Sequence, residues 1–448
     1  MRFNPLRLNR RRFLKTAAAG VAGGTLYWAT RDVVRLGVIG CGVRGQYLAM
    51  SILQTLPERL AGEVVALCDV HQPSVDHVRR RYAPLASMHE NYRELLARDD
   101  IAGVIIATPD HWHVPMALEA IRAGKAIYCE KPLSLTVREG QVLRDAVERS
   151  KTVFQVGTQQ RSQERFQTAC ELVRNGRLGD IQKITVTLPP SRVGGPFPVE
   201  AVPPELNWDL WLGPSPEIAY CPERRRYFRG WYDYSGGTLA DWGAHQLDIV
   251  HWALDCEDRG PITVAGHAEL PATPGGYNTP GTYTVDYKYP GGVAVHVQTA
   301  MKDQGILFEG SRGRIFVNRD RLTGKPVEEL KQRPLESSSL RVRKTQELWG
   351  SGVVRHLRDF YRSVRSGEPT TSGVAVQHRS ATACHIANIS LRLGRKLTWD
   401  AAIERFVNDS EADSYLARVS RAGYGGDALI PAVPSGGAAG LEHGPLAN

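Results

Sequence analysis

Between residues 33 and 155, short apolar runs alternate with stretches whose apolar positions recur every three or four residues. The runs at 35–39, 64–67, 104–107, 126–129 and 153–156 predict strands; the amphipathic stretches at 114–123 and 137–150 predict helices between them. Strands alternating with helices favour a parallel sheet with right-handed crossovers. After Gly157 the pattern changes. A helix is expected at 164–175 and a strand at 181–188, followed by a Pro/Gly-rich stretch at 189–216 and one helix at 238–254. Period-two alternation then predicts strands at 263–269, 282–289, 294–300, 306–310 and 314–318, and helices at 353–366 and 374–393 close the pattern.

The expected class is therefore α/β. A Rossmann-type, doubly wound parallel-sheet domain (33–156) is joined to an α+β domain (157–400) with a large, mainly antiparallel open sheet. Residues 401–448 read as a C-terminal extension whose Gly/Ala/Pro-rich tail, from about 423, is expected to be disordered. No internal repeat is evident.

The first strand runs into Gly40-Cys41-Gly42-Val43-Arg44-Gly45. In such a turn the first glycine permits the bend, the second lets backbone approach a pyrophosphate, and the third allows close helix–strand packing. The second strand ends at Asp69, an acid suited to the ribose hydroxyls of NAD and repulsive to the extra phosphate of NADP. Strand, glycines, helix, strand and acid in this order predict an NAD site; the competing reading is a Rossmann-like domain that binds nothing.

Charge changes the picture only at one end. The 448-residue chain carries a formal +9, but Arg2, Arg7, Arg10, Arg11, Arg12 and Lys15 supply six of those charges with no acid before residue 31. The remainder, about +3, is no nucleic-acid signature. Arg10-Arg11-Arg12-Phe13-Leu14-Lys15 precedes an apolar run to Ala29 and resembles a twin-arginine export signal. Residues 1–32 are thus expected to engage the twin-arginine machinery and direct the protein to the periplasm. No clean Ala-x-Ala site follows, so both cleavage and retention as a membrane tether stay open. The seven cysteines are scattered, without Cys-x-x-Cys, and read as buried free thiols.

Two chemistry-bearing segments fall at predicted strand ends: Thr108-Pro109-Asp110-His111-Trp112-His113 and Glu130-Lys131-Pro132. Lys131 would project into the cleft and orient a substrate hydroxyl; a turn lysine on the surface is the alternative. Asp241 and His245 are four apart and share a helix face, an arrangement in which a carboxylate can orient an imidazole for acid/base work. A capped core histidine and half of a metal site compete with that reading, but no third ligand appears at helical spacing and no metal is expected. Asp248 reads as solvated or structural. The aromatics Tyr227, Phe228, Trp231, Tyr232 and Tyr234 suit stacking on a sugar, with Arg224 to Arg226 or Arg229 binding hydroxyls or a carboxylate; a packed inter-domain or subunit contact is the alternative. Trp208, Trp211, Trp242 and Trp252 read as core, and His111, His251, His378 and His385 as structural.

Taken together, Gly40–Gly45, Asp69, Thr108-Pro109 with His113, Glu130-Lys131-Pro132 and Asp241-x-x-x-His245 resemble the Gfo/Idh/MocA family (glucose-fructose oxidoreductase, inositol dehydrogenase and rhizopine catabolism) over roughly residues 33–400. The segments 156–162 and 207–214 resemble its exported bacterial subgroup. The resemblance implies NAD(P) and oxidation or reduction of a sugar, polyol or glycoside. It implies that Lys131 is the catalytic lysine, His245 the proton acceptor and Asp241 its substrate-binding companion. It further implies cofactor contacts from Gly40, Gly42, Val43, Arg44, Gly45, Asp69, Thr108, Pro109, His113, Glu130 and Lys131, and a homo-oligomer formed through the C-terminal sheet. Asp110 departs from the commoner asparagine of the Thr-Pro-Asn motif. The expected protein is an exported oxidoreductase with tightly held NAD. Its rivals are an NAD-dependent glycosidase acting by transient oxidation and elimination, and a non-catalytic NAD- and sugar-binding sensor.

Overall fold

The computed structural model describes residues 32–55, 60–335, 340 and 350–424. The export segment and almost all of the Gly/Ala/Pro-rich tail lie outside them. No helix among the described residues is long and apolar enough to cross a membrane.

The first sheet is six-stranded and parallel. Its strands are β1 (Asp32–Ile39), β2 (Leu60–Cys68), β3 (Ser87–His89), β4 (Gly103–Ile106), β5 (Ala126–Cys129) and β6 (Phe154–Val156), in the order β3-β2-β1-β4-β5-β6. Helices α1 (Val43–Leu53), α2 (His113–Arg122) and α3 (Val137–Ser150) supply crossovers. All four residues of β4 are buried, which is why its sequence is an unbroken apolar run. Strand β3 escapes the hydrophobic pattern because it is three residues long, lies at the edge and has no fully buried residue.

Register sets the site. Ile39 pairs with Cys68 and with Ile106, and Ile106 pairs with Cys129. The ladder then continues one residue past the strands: the amides of Gly40, Ala107, Glu130 and Gly157 donate to Cys68, Ile39, Ile106 and Cys129 at 2.8 Å each. Gly40, Asp69, Thr108 and Lys131 therefore leave the carboxyl edge side by side. The chain reverses direction between β1 and β4, and a cleft outside such a switch point is where open α/β sheets bind ligands.

The second sheet has nine strands in the order β13-β12-β11-β7-β10-β9-β8-β14-β15. They are β7 (Ile181–Leu188), β8 (Thr263–Ala268), β9 (Tyr283–Lys288), β10 (Ala294–Thr299), β11 (Gly305–Gly310), β12 (Gly313–Val317), β13 (Leu322–Thr323), β14 (Leu397–Asp400) and β15 (Arg405–Phe406). Only β7 and β10 run parallel; the other pairs are antiparallel, as expected. Ile184, Val186, Val285, Val297 and Phe308 face a core shared with α4 (Glu164–Arg174).

Where one helix was expected at 238–254 there are two, α5 (Gly237–Asp241) and α6 (Gly243–Leu254), meeting at Trp242. Helix α7 (Gly352–Ser366) returns to the first sheet, where Leu357, Phe360 and Tyr361 pack with Leu36 and Leu48. Helix α8 (Val374–Leu393) lies between the two domains, against α3, α6 and β8. At that junction Arg161 forms a two-pronged pair with Asp248 (2.6 and 2.7 Å), and Gln377 and Ser380 of α8 donate to the same carboxylate. Both charged side chains are buried, so Asp248 is structural rather than solvated.

Candidate active site

The glycine turn has the shape its sequence demands. Gly40 sits at φ +91°, and a Cβ there would meet the Ala107 carbonyl at 2.6 Å. A Cβ on Gly45 would come within 1.8 Å of the Gly40 oxygen, so α1 packs directly on the turn. A Cβ on Gly42 would meet nothing within 4 Å: this glycine faces open space. Helix α1 begins there with no side-chain cap and no acid in its first turn, which leaves its leading amides for an anion.

Asp69 locks this cradle to β2. Its carboxylate accepts the Cys41 amide at 2.6 Å and the His71 amide at 2.9 Å. Burial pushes its carboxyl up, and those amides and Arg225 pull it back. The Thr108 hydroxyl is buried without a partner. Open cradle, half-buried acid and unpartnered hydroxyl together fit a dinucleotide. His113 is placed differently from a ligand contact: its buried ring lies 2.7 Å from the Pro132 carbonyl and 3.0 Å from that of Thr108, so it ties two strand-end turns together. Arg44 pairs with buried Glu130 at 2.7 Å, and Gln159 donates to the same carboxylate at 3.2 Å.

The proton-handling groups meet across the cleft. Gly236 and Gly237 start α5: a Cβ on the first would meet Asn388 at 2.7 Å, and the second sits at φ +66°. Helix α5 ends at Asp241, whose carboxylate receives Lys131 from the turn after β5. Lys131 also donates to the Asp241 carbonyl at 3.0 Å. Arg229 Nε lies 3.0 Å from the same carboxylate oxygen. Burial pushes the Asp241 carboxyl up, but Arg229 and Lys131 together hold it well below the usual carboxylate range. The spacing-based expectation that Asp241 orients His245 is not what the structure shows: the carboxylate is turned to Lys131 and Arg229. The His245 Nδ1 is buried without a hydrogen-bond partner. Burial, then Lys131 and Arg319, lower its imidazole well below the ordinary value, so the ring is neutral. Its ring packs edge-on to Trp242, 6.4 Å between centroids, and Arg319 lies over that indole at 4.7 Å.

Asp110, the departure from the commoner motif, is also here. It is 2% exposed, accepts the Ser235 hydroxyl, and is pushed up by burial against the pull of His113 and Arg229. Arg319 is the site neighbour that sequence reading missed; it stands in a turn (Asn318 to Arg321) with no motif to mark it. Of the expected aromatic wall, Trp231 and Tyr234 are core, packed with Trp208, Trp211 and Tyr220. That cluster is pinned to the first domain through Trp211, whose carbonyl lies 2.9 Å from His111 Nε2. Tyr227 remains exposed, with the Arg192 guanidinium over its ring.

Comparison with known proteins agrees with this geometry. Residues 34–158 match the Gfo/Idh/MocA profile described as oxidoreductase family, NAD-binding Rossmann fold, and residues 194–425 its C-terminal alpha/beta domain. A glycosyl hydrolase family 109 protein of Shewanella baltica is 35% identical over 176 residues, 32% of this chain and 38% of its own. The alpha-N-acetylgalactosaminidase of Shewanella oneidensis is 40% identical over 127 residues, 27% of each chain. The matches thus span well under half of these relatives' length. The WlbA dehydrogenase of Chromobacterium violaceum, solved with NADH and UDP-GlcNAcA, shares the fold: TM-score 0.62, 19% identity, 82% of this chain and 96% of that one. The chain belongs to the Gfo/Idh/MocA oxidoreductase family, with that family's NAD-binding Rossmann domain and C-terminal α/β domain.

Proposed function

We propose that the protein transfers hydride between a hydroxyl-bearing carbon of a sugar, polyol or glycoside and NAD. One observation carries this: Lys131, Asp241 and a neutral His245 converge at the carboxyl edge beside an open glycine cradle. Bound NAD supplies the hydride acceptor. The glycine turn and the amides of α1 would hold its pyrophosphate, and Asp69 its ribose. Lys131 orients the substrate hydroxyl. His245 takes the hydroxyl proton as the carbonyl forms, and Asp241 offsets the lysine's charge. In the reverse direction the same groups return the proton.

A second reading has its own support in the glycosyl hydrolase family 109 relatives. There the oxidation is the first half of a cycle: the ketone acidifies the neighbouring C–H, the aglycone is eliminated, water adds, and reduction restores the sugar. The test is to incubate the purified holoprotein with nitrophenyl glycosides and, separately, with free sugars and polyols. Substrate-dependent change in nicotinamide absorbance without nitrophenol release supports the dehydrogenase. Nitrophenol release without net redox change supports the glycosidase. Silence in both, with cofactor bound, sinks both. We further propose twin-arginine export to the periplasm and self-association through the second sheet, supported by the leader sequence and by a nine-stranded sheet with few buried residues on one face.

A further inference from the structure

We propose that Arg229 is a positioning residue for Lys131: it fixes the Asp241 carboxylate onto the lysine. The inference rests on the proposed function of Lys131.

Asp241 is the last residue of a five-residue helix, directly before a break. Nothing in that helix constrains which way its carboxylate turns. Two cations do so instead, and both address the same oxygen: Lys131 and, at 3.0 Å, Arg229 Nε. The Arg229 guanidinium is held flat over the Phe228 ring at 4.5 Å. Its short turn, Phe228–Gly230, is bolted from behind: the amides of Asn278 and Thr279 donate to the Gly230 carbonyl at 2.8 and 3.1 Å. Arg229 is therefore fixed at both ends, as a positioning residue has to be.

Asp110 connects this to the Rossmann domain. It opens the turn after β4, is almost completely buried, and takes its one hydrogen bond from Ser235, six residues beyond Arg229. A buried carboxylate needs a cation nearby, and Arg229 is the guanidinium whose field acts on it. The other groups acting on this cluster are His113 on α2, His245 on α6, Arg319 from the β12–β13 turn and Tyr283 on β9. None of them makes an ion pair with Asp241, so only Arg229 competes with Lys131 for its oxygen.

The consequence is a sign difference between two substitutions. Arg229→Ala removes one of two cations from Asp241, and its midpoint should rise by roughly 1–3 pH units, the usual effect of a close opposite charge. Arg229→Lys should restore most of the shift. Asp110→Asn keeps the shape and a hydrogen-bonding partner for Ser235 and leaves the Arg229–Asp241 pair in place, so the midpoint should not rise. The experiment is a carbon-13 carboxyl titration of aspartate-labelled holoprotein over the pH range in which circular dichroism shows it folded, read as the pH at which the Asp241 signal, assigned by its loss in Asp241→Asn, first moves. An unmoved Asp241 in Arg229→Ala, or equal upward shifts in Arg229→Ala and Asp110→Asn, would overturn the proposal. The titration needs no turnover, so inactivity toward every sugar would count against the proposed function and leave this result standing.

Discussion

Lys131 and Asp241 stand 110 positions apart and belong to different domains, yet the lysine ammonium reaches both the carboxylate and, at 3.0 Å, the backbone carbonyl of the aspartate. The pair closes the cleft between the sheets. Lys131→Met should leave Asp241 with Arg229 alone and remove the hydroxyl-orienting ammonium. Turnover should fall by a factor on the order of 10² or more, and likewise for His245→Ala, the usual scale for lost acid/base function. Cofactor content should survive, since neither residue builds the glycine cradle. Steady-state kinetics on an identified sugar checks this, and near wild-type turnover in either variant would remove that residue from the mechanism.

Asp69 is predicted to set cofactor choice, and the structure adds a second consequence. Its carboxylate also holds the amides of Cys41 and His71. Asp69→Ala should therefore weaken NAD twice over, through the lost ribose contact and a looser glycine turn. It should also relax exclusion of NADP, because the negative charge opposing a 2′-phosphate is gone. Calorimetric titration of both cofactors measures this. A wild-type protein that binds NAD and NADP equally well would contradict it.

How far the sequence reveals this molecule depends on length scale. The sequence pattern gave β7 and α8 to the residue, because an 8-residue β-branched run and a 20-residue, mostly buried stretch leave little choice. The strands it missed, β3, β13, β14 and β15, are two to four residues long and borrow their pairing from neighbours. The glycine turn was legible because steric exclusion at Gly40 and Gly45 is a local fact. The partner of Asp241 was not: i,i+4 spacing pointed to His245, whereas a lysine from another domain and Arg229 decided the outcome. Arg319 enters the site from a β-turn whose sequence carries no chemical pattern.

The buried pair at the domain junction should dominate local stability. Arg161→Met leaves Asp248 ionised and buried, with only Gln377 and Ser380 donating to it. Removing one partner of a buried ion pair costs about 3–5 kcal/mol. The double variant Arg161→Met/Asp248→Leu should recover part of that loss, because the fully buried carboxylate goes with its partner, while Glu257, which Arg161 also pairs with at 2.7 Å, keeps Arg174 at 3.5 Å. Urea midpoints followed by tryptophan fluorescence are the measurement. An Arg161→Met midpoint equal to wild type would show that the junction is held by packing alone.

Acid should destabilise the fold well before its carboxylates titrate. Burial depresses His111 and His385 to about 3 and His251 and His356 to about 4. In the unfolded chain each returns to an ordinary value near 6.5. Above that value neither state binds the protons, and the contribution is fully present. As pH falls below it, the unfolded chain takes up protons the native state refuses, so stability is lost until the folded values are reached. The four together give a slope of at most about 5 kcal/mol per pH unit. Urea midpoints at pH 7.5, 6 and 5 should fall in that order; a constant midpoint would mean these rings are not held neutral.

The last prediction concerns how the cofactor is kept. The leader that resembles a twin-arginine signal would carry a folded protein out of the cytoplasm, to a compartment where a pool of free NAD is not expected. An enzyme that drew fresh NAD for each turnover would stall there. The residues around the cleft favour retention instead. The segment 205–207 pairs with 70–72, just after Asp69, through amides donating at 2.9 and 3.1 Å. Farther along, the Trp211 carbonyl and Ser235 hydroxyl grip the turn after β4 at His111 and Asp110. One continuous stretch of the second domain thus contacts the first both just after β2 and at the turn after β4. A dinucleotide seated beneath it would leave only when those contacts open. The cofactor should therefore be loaded before export and regenerated in place, by a second sugar or carbonyl substrate or by reversal within one cycle. Purification without added nucleotide, followed by denaturation and mass spectrometry, should recover close to one nicotinamide dinucleotide per chain. A protein that emerges empty, and turns over only with millimolar NAD supplied, would rule this out.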